Sequence, residues 1–397
     1  NGGTYKMKKY LFLLKREFQL LKKNNLLKLV LIGGPFLFAL LLGMVYQKAR
    51  PTELEIQVVD LDNSPLSQKV IDALNDNQYL NVVKVSPDVF QPKYDFEKGH
   101  VEGVVTIPEG FESDVQQKRH PIVQLDLNTT NILTSNYINT GVMTVMAVIQ
   151  AGTDIQTLQK KGMTPELALQ QYTSMSLNVT RHYNRESNYM KFLWPGVIGA
   201  ILQQIFLMVI ALIFTQEFEK GTFRQLLNYS KSASYLIFTK ATGYFLYMFA
   251  IWNVILYIVF PAFKVDILGD YLSVMVVSVA FMFTLLAMGI FVSVLVRTQI
   301  MATDILMIMS APSFIISGFT WPVSQMNHFM QVVAEILPLT HFLSAYRKVL
   351  FMGVSWMDVI PELTKLGIMI VVYGIISWAI LKWKIYRTLK REPEFAE

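Results

Sequence analysis

Six stretches of this sequence stay apolar for about the 20 residues that a helix needs to cross a hydrocarbon core, and no other feature restricts its fold so tightly. They lie at 29–46, 192–214, 241–261, 272–296, 304–322 and 366–383. Backbone N–H and C=O groups in lipid have no water to bond, so each stretch has to be helical. The composition agrees: 53% of the 397 residues are hydrophobic and 16% charged, against about 25% charged in a soluble domain. The expected fold class is a polytopic α-helical membrane protein with six transmembrane helices. Pro195, Pro312 and Pro322 fall inside or at the ends of these stretches, where neighbouring helices can satisfy the freed backbone.

Between the first two stretches hydropathy collapses, and 47–191 reads as a mixed α/β extracytoplasmic domain. Strand patterns occur at 54–60, 81–85, 101–107 and 122–127, and helical ones at 65–77, 109–117, 132–160 and near 164–174. Ser64-Pro65 supplies a capping hydroxyl and a first-turn proline. With no cysteine in the chain, this domain depends on its own core. Residues 324–350, with Pro338 and His341, are too short for a span and predict outer re-entrant or interfacial half-helices. Residues 1–6 (NGGTYK) read as an appended leader before Met7.

Residues 7–28 form a basic amphipathic pattern. Lys8, Lys9, Lys15, Arg16, Lys22 and Lys23 recur every seven residues on one face, with Leu11, Leu14, Phe18 and Leu21 on another. Such a helix is expected to lie flat on anionic membrane lipids. Lysine and arginine placement sets the orientation. With the N-terminus inside, the cytoplasmic segments hold 18 of these residues and the short outer connections 4, so both termini, 215–240 and the tail at 384–397 are expected in the cytoplasm. The large domain, with 13 basic and 17 acidic residues, is then outside.

Catalytic motifs are lacking. The sequence has no G-x-x-x-x-G-K-[ST], H-E-x-x-H or G-x-S-x-G pattern, and its five histidines are scattered. Neither a catalytic residue nor a metal ligand is expected. The spans carry polar Gln203, Gln204 and Asn253, and Asp304 at one end, but few ionisable groups. That argues against an ion-coupled transporter and places the energy source on another chain. A net charge of +6 gives no reason to expect nucleic acid.

The informative segment follows the second span: Glu217-Phe218-Glu219-Lys220-Gly221-Thr222-Phe223-Arg224-Gln225-Leu226-Leu227. Gly221 permits a sharp bend, and Thr222 with Gln225 has the spacing of a capping box. A short helix at 223–228 would offer Phe223, Leu226 and Leu227 to a partner; an ordinary capped hairpin fits the spacing equally well.

This E-x-E-x-G-T…L-L element resembles the cytoplasmic motif of type-2 ABC exporter permeases, and the likeness runs along nearly the whole chain. Val59-Asp60-x-Asp62-x-Ser64-Pro65-Leu66-Ser67 and Gly103-Val104-Val105-x-Ile107-Pro108-x-Gly110-Phe111 are similar to elements of the family's outer domain. Asn188-Tyr189 with Pro195-Gly196 resembles its entry to the second span. Pro312-x-x-x-x-Ser317-Gly318, Trp321-Pro322, Leu337-Pro338-Leu339-Thr340 and Arg347 resemble its late outer segment. The resemblance implies a coupling helix in which Glu217, Glu219, Lys220, Gly221, Thr222, Phe223, Gln225 and Leu226 meet a separate ABC ATPase, with a second contact at Arg297, Thr298 and Gln299. It implies ATP and magnesium on that ATPase and no cofactor on this chain. It further implies pairing with a second permease copy or paralogue and a bacterial inner-membrane location; the outer domain is expected to contact a periplasmic adaptor or to receive substrate. The family often has a proline after the coupling helix, where this chain has Asn228-Tyr229-Ser230-Lys231-Ser232. The expected function is export of a drug, lipid or other amphipathic molecule. A membrane-anchored receptor acting through its outer domain, and a mechanical transmitter that passes nothing across, are the alternatives.

Overall fold

The computed structural model describes residues 10–19, 25–172, 182–184 and 187–390. The chain divides into two units, Arg50–Arg181 and the remainder, Asn1–Ala49 with His182–Glu397.

In Arg50–Arg181 four strands form one sheet: β1 (Leu54–Asp60), β2 (Leu80–Ser86), β3 (Gly103–Ile107) and β4 (Gln124–Leu127), in the order β2-β1-β3-β4. β1 runs parallel to β2 and β3, whereas β4 is antiparallel to β3. Alternation in the central strands sorts their residues onto two faces. Ile56, Val58, Val105 and Ile107 meet Val70, Ile71 and Leu74 of a helix at Pro65–Asn75, and Ile138, Val142 and Val145 of one at Ile132–Lys160. Val59 and Val104 point the other way, towards Phe96 of a helix at Phe90–Glu97. That last helix is not among the expected elements, because eight residues with Pro92 show little helical periodicity.

The motif that runs from Asp60 to Ser67 is a folding joint. Asp60 accepts from the backbone N–H groups of Asp62 and Asn63 and from the Ser67 hydroxyl at 2.7 Å, while Ser64 and Ser67 cap the helix start reciprocally. Asp62 accepts from the N–H of Glu112, so it ties this turn to the helix at Phe111–Gln116 that the second motif begins. Burial alone would raise the Asp62 carboxyl. The Ser64 hydroxyl and the backbone N–H groups of Glu112, Gly110 and Phe111 outweigh it and hold the group below its ordinary value.

Numbered along the chain, the helices named so far are α3 (Pro65–Asn75), α4 (Phe90–Glu97), α5 (Phe111–Gln116) and α6 (Ile132–Lys160), with α7 at Pro165–Tyr172. The other unit contributes α1 (10–19), α2 (Leu29–Val45), α8 (Tyr189–Glu219), α9 (Phe223–Tyr229), α10 (Ala233–Ala262), α11 (Tyr271–Leu295) and α12 (Gln299–Ile316). It ends with α13 (His328–Ile336), α14 (Pro338–Met352) and α15 (Ile360–Lys390). Six helices among the described residues are long and apolar enough to cross a membrane. The number agrees with expectation, but the membership differs. Five correspond to α8, α10, α11, α12 and the segment Trp356–Lys390 that contains α15. The sixth is α6, whose apolar residues are partly accounted for by the sheet it covers. The expected first span is the shorter α2, about 26 Å long at 1.5 Å per residue.

α8 and α11 are the most enclosed of these helices. α10, α11 and α14 pack closely: Phe281 stacks on Phe342 at 3.9 Å between ring centres, and Trp252 meets both rings edge-on. α8 runs through Pro195 and is interrupted at Ala211, where the Ser293 hydroxyl accepts from the N–H groups of Phe214 and Thr215. Gln203 donates to Ser313 at 2.9 Å, and Ser310 donates to Gln204, so the polar residues of α8 bond α12 rather than lipid. α13 and α14 occupy the stretch in which half-helices were expected. Arg347 of α14 donates to the Phe319 carbonyl at 2.6 Å and lies over the Phe319 ring.

Candidate functional site

The apolar run of α8 ends near Phe214, yet the helix continues to Glu219 and then turns back through Gly221, which has φ +67°. α9 follows immediately. Thr222 occupies the expected cap position, but its side chain does not cap α9; its hydroxyl donates to Glu217 instead. The expected capping box is therefore absent. Glu217 explains why: it is the centre of an ion cluster that claims every donor nearby.

Arg16 of α1 grips Glu217 with two hydrogen bonds, at 2.8 and 3.1 Å. Lys240, in the first turns of α10, donates to Glu217 at 3.0 Å and to Glu17 of α1 at 2.8 Å. The side chains of Glu17, Glu217 and Lys240 are at most 3% exposed. Two anions and a lysine removed from water in this way, with the half-buried Arg16 at their edge, are tolerable only as a set, since each compensates another's lost hydration. α1 packs over Gly243 of α10, with Leu14 and Glu17 nearest to it. The cluster thus joins α1, α8 and α10 at one point.

Glu219, two residues on, faces outward and accepts from the backbone N–H of Gln299 at 2.8 Å and from its side-chain amide at 3.2 Å. Thr298 caps α12, its hydroxyl accepting from Met301. Two glutamates spaced two apart therefore reach different elements: Glu217 holds α1 and α10, and Glu219 holds the head of α12.

The apolar side of α9 differs from expectation. Phe223, Leu226 and Leu227 are buried within the chain, and Phe223 meets Phe218 edge-on at 4.9 Å. They hold α9 against the bundle and are not offered to a partner. Lys220, Gly221, Arg224, Gln225 and Asn228 remain exposed, as do Arg297 and Thr298. Of the basic stripe, Lys8, Lys9, Lys22 and Lys23 lie outside the described residues, and Lys15 is exposed. Arg16 is turned inward to Glu217 rather than to a membrane surface. Sequence reasoning missed Glu17 and Lys240. The available signal was one acid on the inner face of α1, one turn from buried Leu13, and one lysine heading an apolar run.

A bundle of long apolar helices with a charged, motif-bearing turn at one end is the architecture of a transport permease. The sequence profile of the ABC-2 family transporter protein matches residues 27–379. The chain belongs to that family and is a transmembrane permease of an ABC transporter. It is 22% identical over 379 residues to a probable multidrug ABC transporter permease, YbhR, of Escherichia coli, covering 94% of this chain and 98% of the relative. A second such permease of that organism, YbhS, is 23% identical over 291 residues, 72% of each chain. The ABC transporter G family member 20 of Dictyostelium discoideum is 23% identical over 305 residues; the match takes in 77% of this chain and 41% of that protein's length. Family membership implies an ABC ATPase partner and dimerisation.

Proposed function

We propose that this chain forms the membrane path of an exporter in a bacterial inner membrane, driven by ATP hydrolysis on a separate subunit. Two copies, or a copy and a paralogue, would enclose the path, and the exposed face of α9 with Arg297, Thr298 and Gln299 would meet the ATPase. The 215–240 segment and both termini are cytoplasmic in this reading and the sheet-bearing unit periplasmic, where it is available to an adaptor. The two bacterial relatives are named as probable multidrug permeases, which supports a drug-like cargo.

The observation that carries the proposal is the divided grip of the glutamates. A push on α9 reaches α1 and α10 through Glu217 and α12 through Glu219, so one docking event moves three elements. Such a joint transmits displacement because it has discrete, fully paired contacts rather than a compliant loop. With the complex purified on a tagged ATPase, Glu219→Gln is expected to keep the permease bound while reducing substrate-stimulated ATP hydrolysis several-fold. Unchanged stimulation in both Glu219→Gln and Glu217→Gln would remove the coupling role.

A further inference from the structure

A cleft of about 550 Å³ lies beside α9, and four cations line it: Arg224 of α9, Arg297 ahead of α12, and Lys384 and Arg387 of α15. No acidic residue lines it. None of the four is within salt-bridge distance of a carboxylate among the described residues. The contrast with Arg16 and Lys240 is informative. At that cluster the fold matches every cation with a glutamate, whereas here three separate elements bring like charges together unmatched. Like charges so arranged repel, and an anion seated among them reverses the sign of that interaction. Lys384 lies 4.1 Å over the Phe218 ring and Arg387 5.3 Å over Trp383, which holds both cations in place without neutralising them.

We propose that this cleft binds the phosphate of an anionic phospholipid headgroup. Guanidinium forks suit phosphate oxygens. The position of the cleft selects a lipid over a soluble anion or a protein carboxylate. α15 exposes Ile368, Val371 and Ile375 along its length and then Trp383 and Tyr386 in the same turns as Lys384 and Arg387. That is the order of a helix leaving hydrocarbon for the headgroup layer, with aromatic residues at the boundary. Leu295, 51% exposed, also lines the cleft and supplies an apolar rim for the upper acyl chain. Arg224 and Arg297 also belong to the face assigned above to the ATPase, so lipid and ATPase would compete for them; the proposal does not need the coupling role of Glu217 and Glu219, and the test removes Lys384 and Arg387, which lie outside that face.

The test uses the purified full-length chain in detergent. Phosphatidylglycerol or phosphatidylcholine is titrated and counted on the protein by native mass spectrometry; inorganic phosphate is titrated in a third arm. The native chain is expected to retain phosphatidylglycerol preferentially. At about fivefold per cation near an anionic surface, Lys384→Gln/Arg387→Gln is expected to weaken that retention roughly twenty-five-fold. Lys231→Gln, which removes an exposed cation elsewhere, is expected to leave it unchanged. Should the double variant melt early, exposed Arg387→Gln alone is expected to show about a fivefold loss. Equal retention of the two lipids would overturn the proposal, as would a preference that survives both substitutions. Saturation by inorganic phosphate that phosphatidylglycerol cannot displace would assign the site to a free anion instead. A double variant that loses only a co-purifying ATPase would assign it to a partner's carboxylates.

Discussion

Lys240 and Arg16 each reach both buried glutamates, and Lys240 is the more deeply buried of the two, so the joint at the end of α8 depends on it. Lys240→Met would leave Glu17 and Glu217 buried with Arg16 alone, and breaking a buried ion set from one side costs about 3–5 kcal/mol. A clearly lower melting temperature of the purified chain is expected, with partial recovery in Lys240→Arg; equal melting of all three would contradict the geometry. Asp62 makes a different prediction, in pH. Its folded carboxyl sits below the ordinary value of 3.8, so its contribution is present above that value and fades as pH falls through the lower, folded one. Amide exchange across 108–116 should therefore accelerate, beyond its intrinsic pH dependence, below about pH 4, and less so in Asp62→Asn, whose amide cannot titrate. Glu217, Glu219 and Gly221 stood out in the sequence because a short motif marks a backbone turn, but Glu217, expected at an ATPase, is buried against Arg16 and Lys240 instead. Glu17 and Lys240 were not, because helical spacing says which side of a helix faces inward but not which distant charge waits there.

The element that matters most is α9, seven residues held by a reversed turn. Gly221 has φ +67° with nothing within 4 Å of a Cβ placed there, so a side chain would fit and only the backbone objects. Gly221→Ala should then cost about 1–2 kcal/mol, and Gly221→Asn less, since asparagine tolerates the left-handed region. Trypsin at exposed Lys220 and Arg224 reads the difference: faster cleavage in the alanine variant than in the asparagine variant is expected, and equal rates would refute the strain. Amphipathicity in so short a helix told truly that one side is apolar, but not whether that side meets the bundle or a partner; Phe223 and Leu226 meet the bundle. The same ambiguity governs α6 and α2. Length and hydropathy rank α6 among the spans, while the sheet beneath it explains part of that apolarity; α2 is shorter, yet apolar along its length. Periodicity reports apolar surface, not the solvent that surface will meet.

At the scale of the molecule, the motifs of the sheet-bearing unit proved to be structural. Asp60, Asp62, Ser64 and Ser67 fasten β1 to α3 and α5, which makes them marks of a fold rather than of chemistry. Function in this account depends on two-sidedness: α9 in the compartment that holds ATP, the sheet-bearing unit in the other. The absence of cysteine from the chain allows a direct test with single introduced thiols and no background. Gln116→Cys, exposed on α5, and Lys231→Cys, exposed ahead of α10, are labelled with a membrane-impermeant maleimide in right-side-out and inverted vesicles. The account predicts that Gln116→Cys reacts only in right-side-out vesicles and Lys231→Cys only in inverted ones. Labelling of both from the same face would contradict it.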